Sequence, residues 1–100
     1  MKNVLLVGGG KIGVAITEFL TQSGDYTVTV ADRDPASLAR MPAGDNVNLR
    51  EIDILSRDFF AAVKGHDIVL SATPYHLTAK VAEACREAGA HYLDLTEDVE

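Results

Sequence analysis

Gly8-Gly9-Gly10-Lys11-Ile12-Gly13 follows directly on four apolar residues, Val4-Leu5-Leu6-Val7. That junction constrains the fold more than any other stretch of the chain. Spaced as Gly8-x-Gly10-x-x-Gly13, it is the glycine fingerprint of a dinucleotide-binding turn, in which each glycine has a physical task. The first permits a tight strand-to-helix turn, the second lets backbone approach a pyrophosphate, and the third lets the helix lie close against the strand. The free N–H groups and positive dipole end of that helix then face the anion. Glycines alone say little, because loops collect them for turn geometry. Here they sit between a buried-strand pattern and a helix pattern, with an acid, Asp32, 19 positions beyond Gly13.

The rest of the chain repeats the strand–helix alternation. Residues 4–7 read as a central parallel strand buried on both faces. Over 11–23, Ile12, Ile16, Phe19 and Leu20 recur at helical spacing, and Gly24 is placed to end the helix. Residues 26–31 alternate as a second strand. Asp34-Pro35 starts a short helix carrying Leu38 and Met41 and broken at Pro42. Residues 47–54 form a third strand whose Arg50, Glu51 and Asp53 suit an edge position. Ser56 caps a helix through Val63 that buries Phe59, Phe60 and Val63 and ends at Gly65. Residues 67–72, with Ile68-Val69-Leu70, form a second central strand. Thr73-Pro74 starts a helix with Leu77, Val81, Cys85 and Ala88 inward, ended by Gly89, and residues 91–95 are the fifth strand.

Short connections and right-handed crossovers make this βαβαβαβαβ order a Rossmann-type α/β domain. It is a doubly wound parallel sheet of five strands in the order 3-2-1-4-5, with helices on both faces and a single domain over 1–100. Ligands on such a sheet bind beyond the strand C-termini, at the switch between strands one and four.

Composition removes several classes of function. The chain is 47% hydrophobic and carries a net charge of −6, which supports a packed core and argues against a nucleic-acid surface. No apolar run approaches the roughly 20 residues of a membrane span. The first strand begins almost at residue 1, leaving no room for a signal peptide. One cysteine, Cys85, excludes an internal disulfide and suits a reducing compartment, so a cytoplasmic location is expected. Three scattered histidines and one cysteine give no metal-ligand spacing.

The chemistry-bearing candidates cluster at strand ends. Asp32, closing strand two, is placed to accept hydrogen bonds from the adenosine ribose hydroxyls; the plainer role is a turn aspartate or a second cap beside Asp34. Its carboxylate would repel a 2′-phosphate, so NAD is preferred over NADP, although the guanidinium of Arg33 pulls the other way. Gly8, Gly10, Ile12 and Gly13 form the cradle, and Lys11 either touches phosphate or points into water. Asp53 lies within reach of an adenine or caps a strand end. Ser71-Ala72-Thr73-Pro74 closes strand four on the nicotinamide side, where small residues let a ring approach the backbone. Tyr75 and His76 open the next helix and are the acid/base or substrate-contact candidates, although a first-turn histidine is more often structural. His66 and His91 read as surface residues, and Cys85 as core.

Four segments together resemble a family. They are Val7-Gly8-Gly9-Gly10-Lys11-Ile12-Gly13, Val30-Ala31-Asp32-Arg33, Leu70-Ser71-Ala72-Thr73-Pro74-Tyr75 and Ala90-His91-Tyr92-Leu93-Asp94. The chain is similar throughout to the N-terminal NAD(P)-binding domain of saccharopine dehydrogenase-like proteins. The resemblance implies NAD(P)-dependent oxidation or reduction at a carbon–nitrogen bond of an amino acid or amine, as in lysine metabolism. In saccharopine dehydrogenases a secondary amine is oxidised to an imine that water cleaves. Those enzymes carry a second, larger domain that supplies most substrate contacts. The expectation is therefore a cofactor-binding piece of a longer enzyme, which binds nucleotide but catalyses nothing alone, with the catalytic residues beyond residue 100. The implied partners are a nicotinamide dinucleotide, an amine or amino-acid substrate held through the other domain and, in the full-length form, a second copy.

Two other classes share the glycines and the strand-two acid. One is an NAD(H)-sensing module resembling potassium-transporter regulatory domains, which the Thr73-Pro74-Tyr75 and His91-Tyr92-Leu93-Asp94 segments fit less well. The other is a different oxidoreductase or epimerase on the same fold. The Tyr-x-x-x-Lys pair of short-chain enzymes is missing, since Tyr75 and Lys80 are five apart.

Overall fold

The computed structural model describes residues 2–8, 11–41, 44–53, 56–71 and 75–94. Along them run β1 (Lys2–Val7), α1 (Lys11–Ser23), β2 (Tyr26–Asp32), α2 (Pro35–Ala39) and β3 (Val47–Glu51). They continue with α3 (Arg57–Lys64), β4 (Ile68–Ser71), α4 (Tyr75–Ala88) and β5 (His91–Asp94). The strands form one parallel sheet in the order β3-β2-β1-β4-β5, the doubly wound, Rossmann-like arrangement expected.

Successive residues of a strand face opposite sides of its sheet, so a central strand must supply two cores. In β1, Val4 and Leu6 join Val28, Val30, Leu38 and Met41 on the side covered by α1 and α2. Leu5 and Val7 join Phe59, Val63, Val69, Val81 and Cys85 on the side of α3 and α4. All four β1 residues are at most 2% exposed, which explains the unbroken apolar run. Cys85 belongs to this core, and burial pushes its thiol up to about 11.

Helix α1 is rotated relative to its apolar periodicity. Phe19 is 74% exposed and Ile12 47%, while Thr17 is fully buried and Val14, Ile16 and Leu20 lie against the core. The cause is Gly13, which faces the end of β1 and fixes which side of α1 turns inward. Positions 13, 16, 17 and 20 then share that side by helical geometry. The buried Thr17 hydroxyl lies 3.8 Å from the Met41 sulfur, a weak contact.

Two short helices start as their sequences predict. The Asp34 carboxylate accepts from the Ala36 N–H at 3.0 Å, with Pro35 in the first turn, and the Ser56 hydroxyl accepts from the Phe59 N–H at 3.4 Å. In α3, Phe59 and Val63 are buried and Phe60 half-buried, with the Lys64 ammonium 4.8 Å from the Phe60 ring centre. Gly24 and Gly89 follow the ends of α1 and α4 with positive φ.

Strand β3 lies at the sheet edge as expected but stops at Glu51 rather than 54. Beyond it the Ile52 side chain turns into the α3 core, while its N–H still bonds the Asp32 carbonyl at 3.0 Å. His91 is exposed as expected. His66 is not a free surface residue: it is half-buried, with Nδ1 2.6 Å from the Ala62 carbonyl oxygen. The expected Thr73-Pro74 helix start and the Leu95 end of the fifth strand lie outside the described residues.

Candidate cofactor-binding site

Strand register brings the candidate residues to one edge of the sheet. Val7 lies opposite Ala31 on one side and Ser71 on the other, and Ser71 lies opposite Asp94. The carboxyl ends of β1, β2 and β4 therefore finish together, with Gly8, just past β1, between Asp32 of β2 and Ser71 of β4. Helix α1 leaves β1 on one face and α4 follows β4 on the other. This is the switch point at which a doubly wound sheet opens a crevice.

Gly8 makes the turn. Its N–H donates to the Ala31 carbonyl at 2.9 Å, carrying the β1–β2 ladder one residue past the strand, and its φ of 99° then reverses the chain. An L side chain rarely adopts that backbone conformation. At Gly13 the constraint is contact rather than torsion, since a Cβ there would lie 2.6 Å from the Gly8 carbonyl oxygen. The missing Cβ at Gly13 lets the start of α1 sit directly against the strand end. Its first N–H groups, those of Lys11, Ile12 and Gly13, have no acceptor within the helix and carry its positive dipole end. No acidic residue occupies that first turn to oppose an anion.

On the β2 side, the Asp32 carboxylate Oδ1 accepts from the Asp34 N–H at 2.9 Å. The turn role weighed for this residue is thus present. Arg33 is exposed beside it. Asp53 lies two residues past β3, exposed, and its main-chain carbonyl accepts from the Ser56 N–H at 2.9 Å and hydroxyl at 2.6 Å. It therefore helps start α3 instead of closing a strand. Ser71 ends β4 fully buried. Ile12 is half-exposed at the start of α1, and Tyr75 and His76 lie in the first turn of α4. Gly10, Ala72, Thr73 and Pro74 lie outside the described residues.

The cradle fits a dinucleotide. Gly13 tolerates no Cβ against the Gly8 carbonyl and Gly8 has a positive φ, the two glycine requirements of a dinucleotide turn, and the acid at the end of β2 is where a ribose diol needs an acceptor. Among the described residues no group of three or more His, Cys, Asp or Glu is placed to hold a metal ion. Nor is any helix among them long and apolar enough to cross a membrane.

The family model of the saccharopine dehydrogenase NADP-binding domain matches residues 4–99. The chain belongs to that family. Its fold recurs in the apo histidine-tagged saccharopine dehydrogenase (L-Glu forming) of Saccharomyces cerevisiae, at a TM-score of 0.86 and 22% identity, covering 99% of this chain and 22% of that one. A Rossmann-fold NAD(P)-binding family protein from Shigella flexneri matches at 0.74 and 26% identity, over 92% of this chain and 50% of its own. An epimerase from Methanothermobacter thermautotrophicus matches at 0.80 and 22% identity, over 93% and 34%. The chain thus spans half or less of each of these proteins. Membership makes the ligand a nicotinamide dinucleotide, and the family's description favours NADP where the carboxylate of Asp32 had favoured NAD.

The link from Asp34 to Asp32 is the turn role that the sequence offered for Asp32. Its signal was present: in Asp32-Arg33-Asp34-Pro35 each aspartate precedes by two residues an N–H that its own side chain accepts.

Proposed function

We propose that this chain is the cofactor-binding domain of a nicotinamide-dinucleotide-dependent oxidoreductase acting on a carbon–nitrogen bond of an amino acid or amine. The observation that supports it most directly is the close approach of Gly13 to Gly8, where a Cβ would lie 2.6 Å from the Gly8 carbonyl oxygen, as the tight turn of a pyrophosphate cradle requires. When bound, the dinucleotide supplies a hydride acceptor or donor. The chain's own part is to bind and orient it. The N–H groups opening α1 hold the pyrophosphate, Asp32 meets the adenosine ribose, and Ile12 covers apolar surface at the mouth of the cradle. Lys11 adds a positive charge to that loop, and Arg33 is the cation placed for a 2′-phosphate, in keeping with NADP. Asp53, Ser71 and the residues Gly10, Ala72, Thr73 and Pro74 complete the expected lining.

The carbon–nitrogen chemistry rests on family membership and on the yeast saccharopine dehydrogenase sharing this fold over nearly the whole chain. Substrate contacts and the catalytic acid/base are assigned to the part of the protein beyond this domain. The test is to supply the native protein carrying this domain with NADP or NAD and a panel of secondary amines related to lysine and glutamate. Growth of reduced-nicotinamide absorbance with release of an aldehyde or oxo acid supports the assignment. Dinucleotide binding without turnover on any amine, but with turnover of a sugar nucleotide, would move the protein to the epimerase-like relatives instead.

A further inference from the structure

Strand β3 ends the sheet on the β2 side, and only every second residue of it is spent on β2. The Val28 N–H donates to the Asn46 carbonyl at 2.8 Å, and the Ile52 N–H donates to the Asp32 carbonyl at 3.0 Å. Between these bonds the register runs from Val28↔Val47 to Asp32↔Glu51, and a parallel ladder steps along it two residues at a time. The main chain of Asn48 and Arg50 therefore faces β2, while that of Val47, Leu49 and Glu51 faces outward. The Val47 N–H turns back to the Gly44 carbonyl at 3.2 Å. Among the described residues no strand lies beyond β3, so its outer edge offers the N–H groups of Leu49 and Glu51 and a row of carbonyl acceptors. Leu49 lies opposite the buried Val30, yet its own side chain is 47% exposed.

We propose that this edge pairs antiparallel with the same edge of a second copy, about a two-fold axis through Leu49, joining two sheets into one. The strand's own pattern selects that register. Centred on Leu49, each Leu49 N–H meets the partner's Leu49 carbonyl, and each Glu51 N–H meets the partner's Val47 carbonyl. Both outward donors are then satisfied within the strand, and the Val47 N–H keeps its bond to Gly44. The half-exposed Leu49 side chains cover each other, and Arg50 stands opposite the partner's Asn48. Moving the axis by one residue loses this. About Arg50, two guanidinium groups face each other at the closer, non-hydrogen-bonded spacing; about Asn48, the Glu51 carboxylate faces the partner's Asp45. The contact is isologous, the commonest kind in soluble oligomers. A five-residue strand buries less than the roughly 800 Å² per partner of a standard interface, so the dimer is weak and concentration-dependent. It does not depend on the cofactor reading, since β2 separates this edge from β1 and Gly8.

The test follows the native protein carrying this domain by sedimentation velocity over a concentration series, beside two variants at the axis. Leu49→Lys and Leu49→Glu each set like charges against themselves, and each alone is expected to weaken association by about 10-fold. Mixed in equal amounts, the two variants are expected to associate at least as tightly as the native protein, because position 49 then meets its opposite charge. If either variant fails to fold, Leu49→Cys carries the same prediction. An antiparallel hydrogen-bonded pair sets its Cα atoms about 5.5 Å apart, within disulfide reach, and the other cysteine, Cys85, is buried. Mild oxidation should then cross-link the dimer. A native protein that stays monomeric at its highest soluble concentration overturns the proposal. So does association that neither charged variant weakens, a mixture no tighter than its components, or a Leu49→Cys protein that associates without cross-linking.

Discussion

At Gly13 a single missing methyl group decides whether a helix can touch the end of a strand. A Cβ there would sit 2.6 Å from the Gly8 carbonyl oxygen, and that neighbour is backbone, which cannot swing aside. Gly13→Ala is therefore expected to cost about 1–3 kcal/mol, the range for forcing volume into a packed site, and to weaken dinucleotide binding at least in step. Urea unfolding and ligand titration of the same sample read both effects. By contrast, a Cβ at Gly24 meets nothing within 4 Å, so alanine there tests backbone torsion alone, at a φ of +77°. Cys85 gives a second residue-scale expectation. Burial raises its pKa from 9.0 to about 11, so the folded state favours the protonated thiol. Its contribution to stability is whole below pH 9 and is lost as the pH rises from there through about 11. Slow labelling by a thiol reagent at neutral pH, quickened by denaturant, would confirm it; fast labelling of the folded chain would contradict it.

Elements in this protein are set by local signals, while their rotation is set by contacts. The starts of α2 and α3 were legible because Asp34-Pro35 and Ser56 supply capping oxygens whose partners lie two or three residues on. The rotation of α1 was not, because Ile12, Ile16, Phe19 and Leu20 satisfy helical spacing as well as the true inward set does. Only the contact of Gly13 with Gly8, across the turn, selects between two faces one residue apart. The consequence is measurable. Phe19→Ala, on an exposed face, should change stability by no more than about 0.5 kcal/mol, whereas Phe59→Ala, 2% exposed, should cost about 3–5 kcal/mol. Equal losses from the two substitutions would mean that α1 is turned the other way. The end of β3 was misjudged for a related reason: Ile52 continues the apolar pattern, but its side chain serves the α3 core rather than a strand face.

For the molecule as a whole, the strand order was readable because two unbroken apolar runs can only be central, and a mixed one can only be at an edge. The register that follows gathers Gly8, Asp32 and Ser71 at one rim, which no local pattern could show. In the choice of cofactor the sequence leaned to NAD on Asp32, whereas the family's description favours NADP; Asp32 and the adjacent Arg33 act in opposite directions. The central claim is that this rim binds a nicotinamide dinucleotide through the Gly8–Gly13 cradle, and thermal unfolding with and without ligand tests it most directly. At a hundred times its dissociation constant, NADPH or NADH should stabilise the native protein by about 2.7 kcal/mol, and Gly13→Val should abolish that gain. An unfolding temperature that neither dinucleotide moves, or an equal gain in Gly13→Val, would contradict the account.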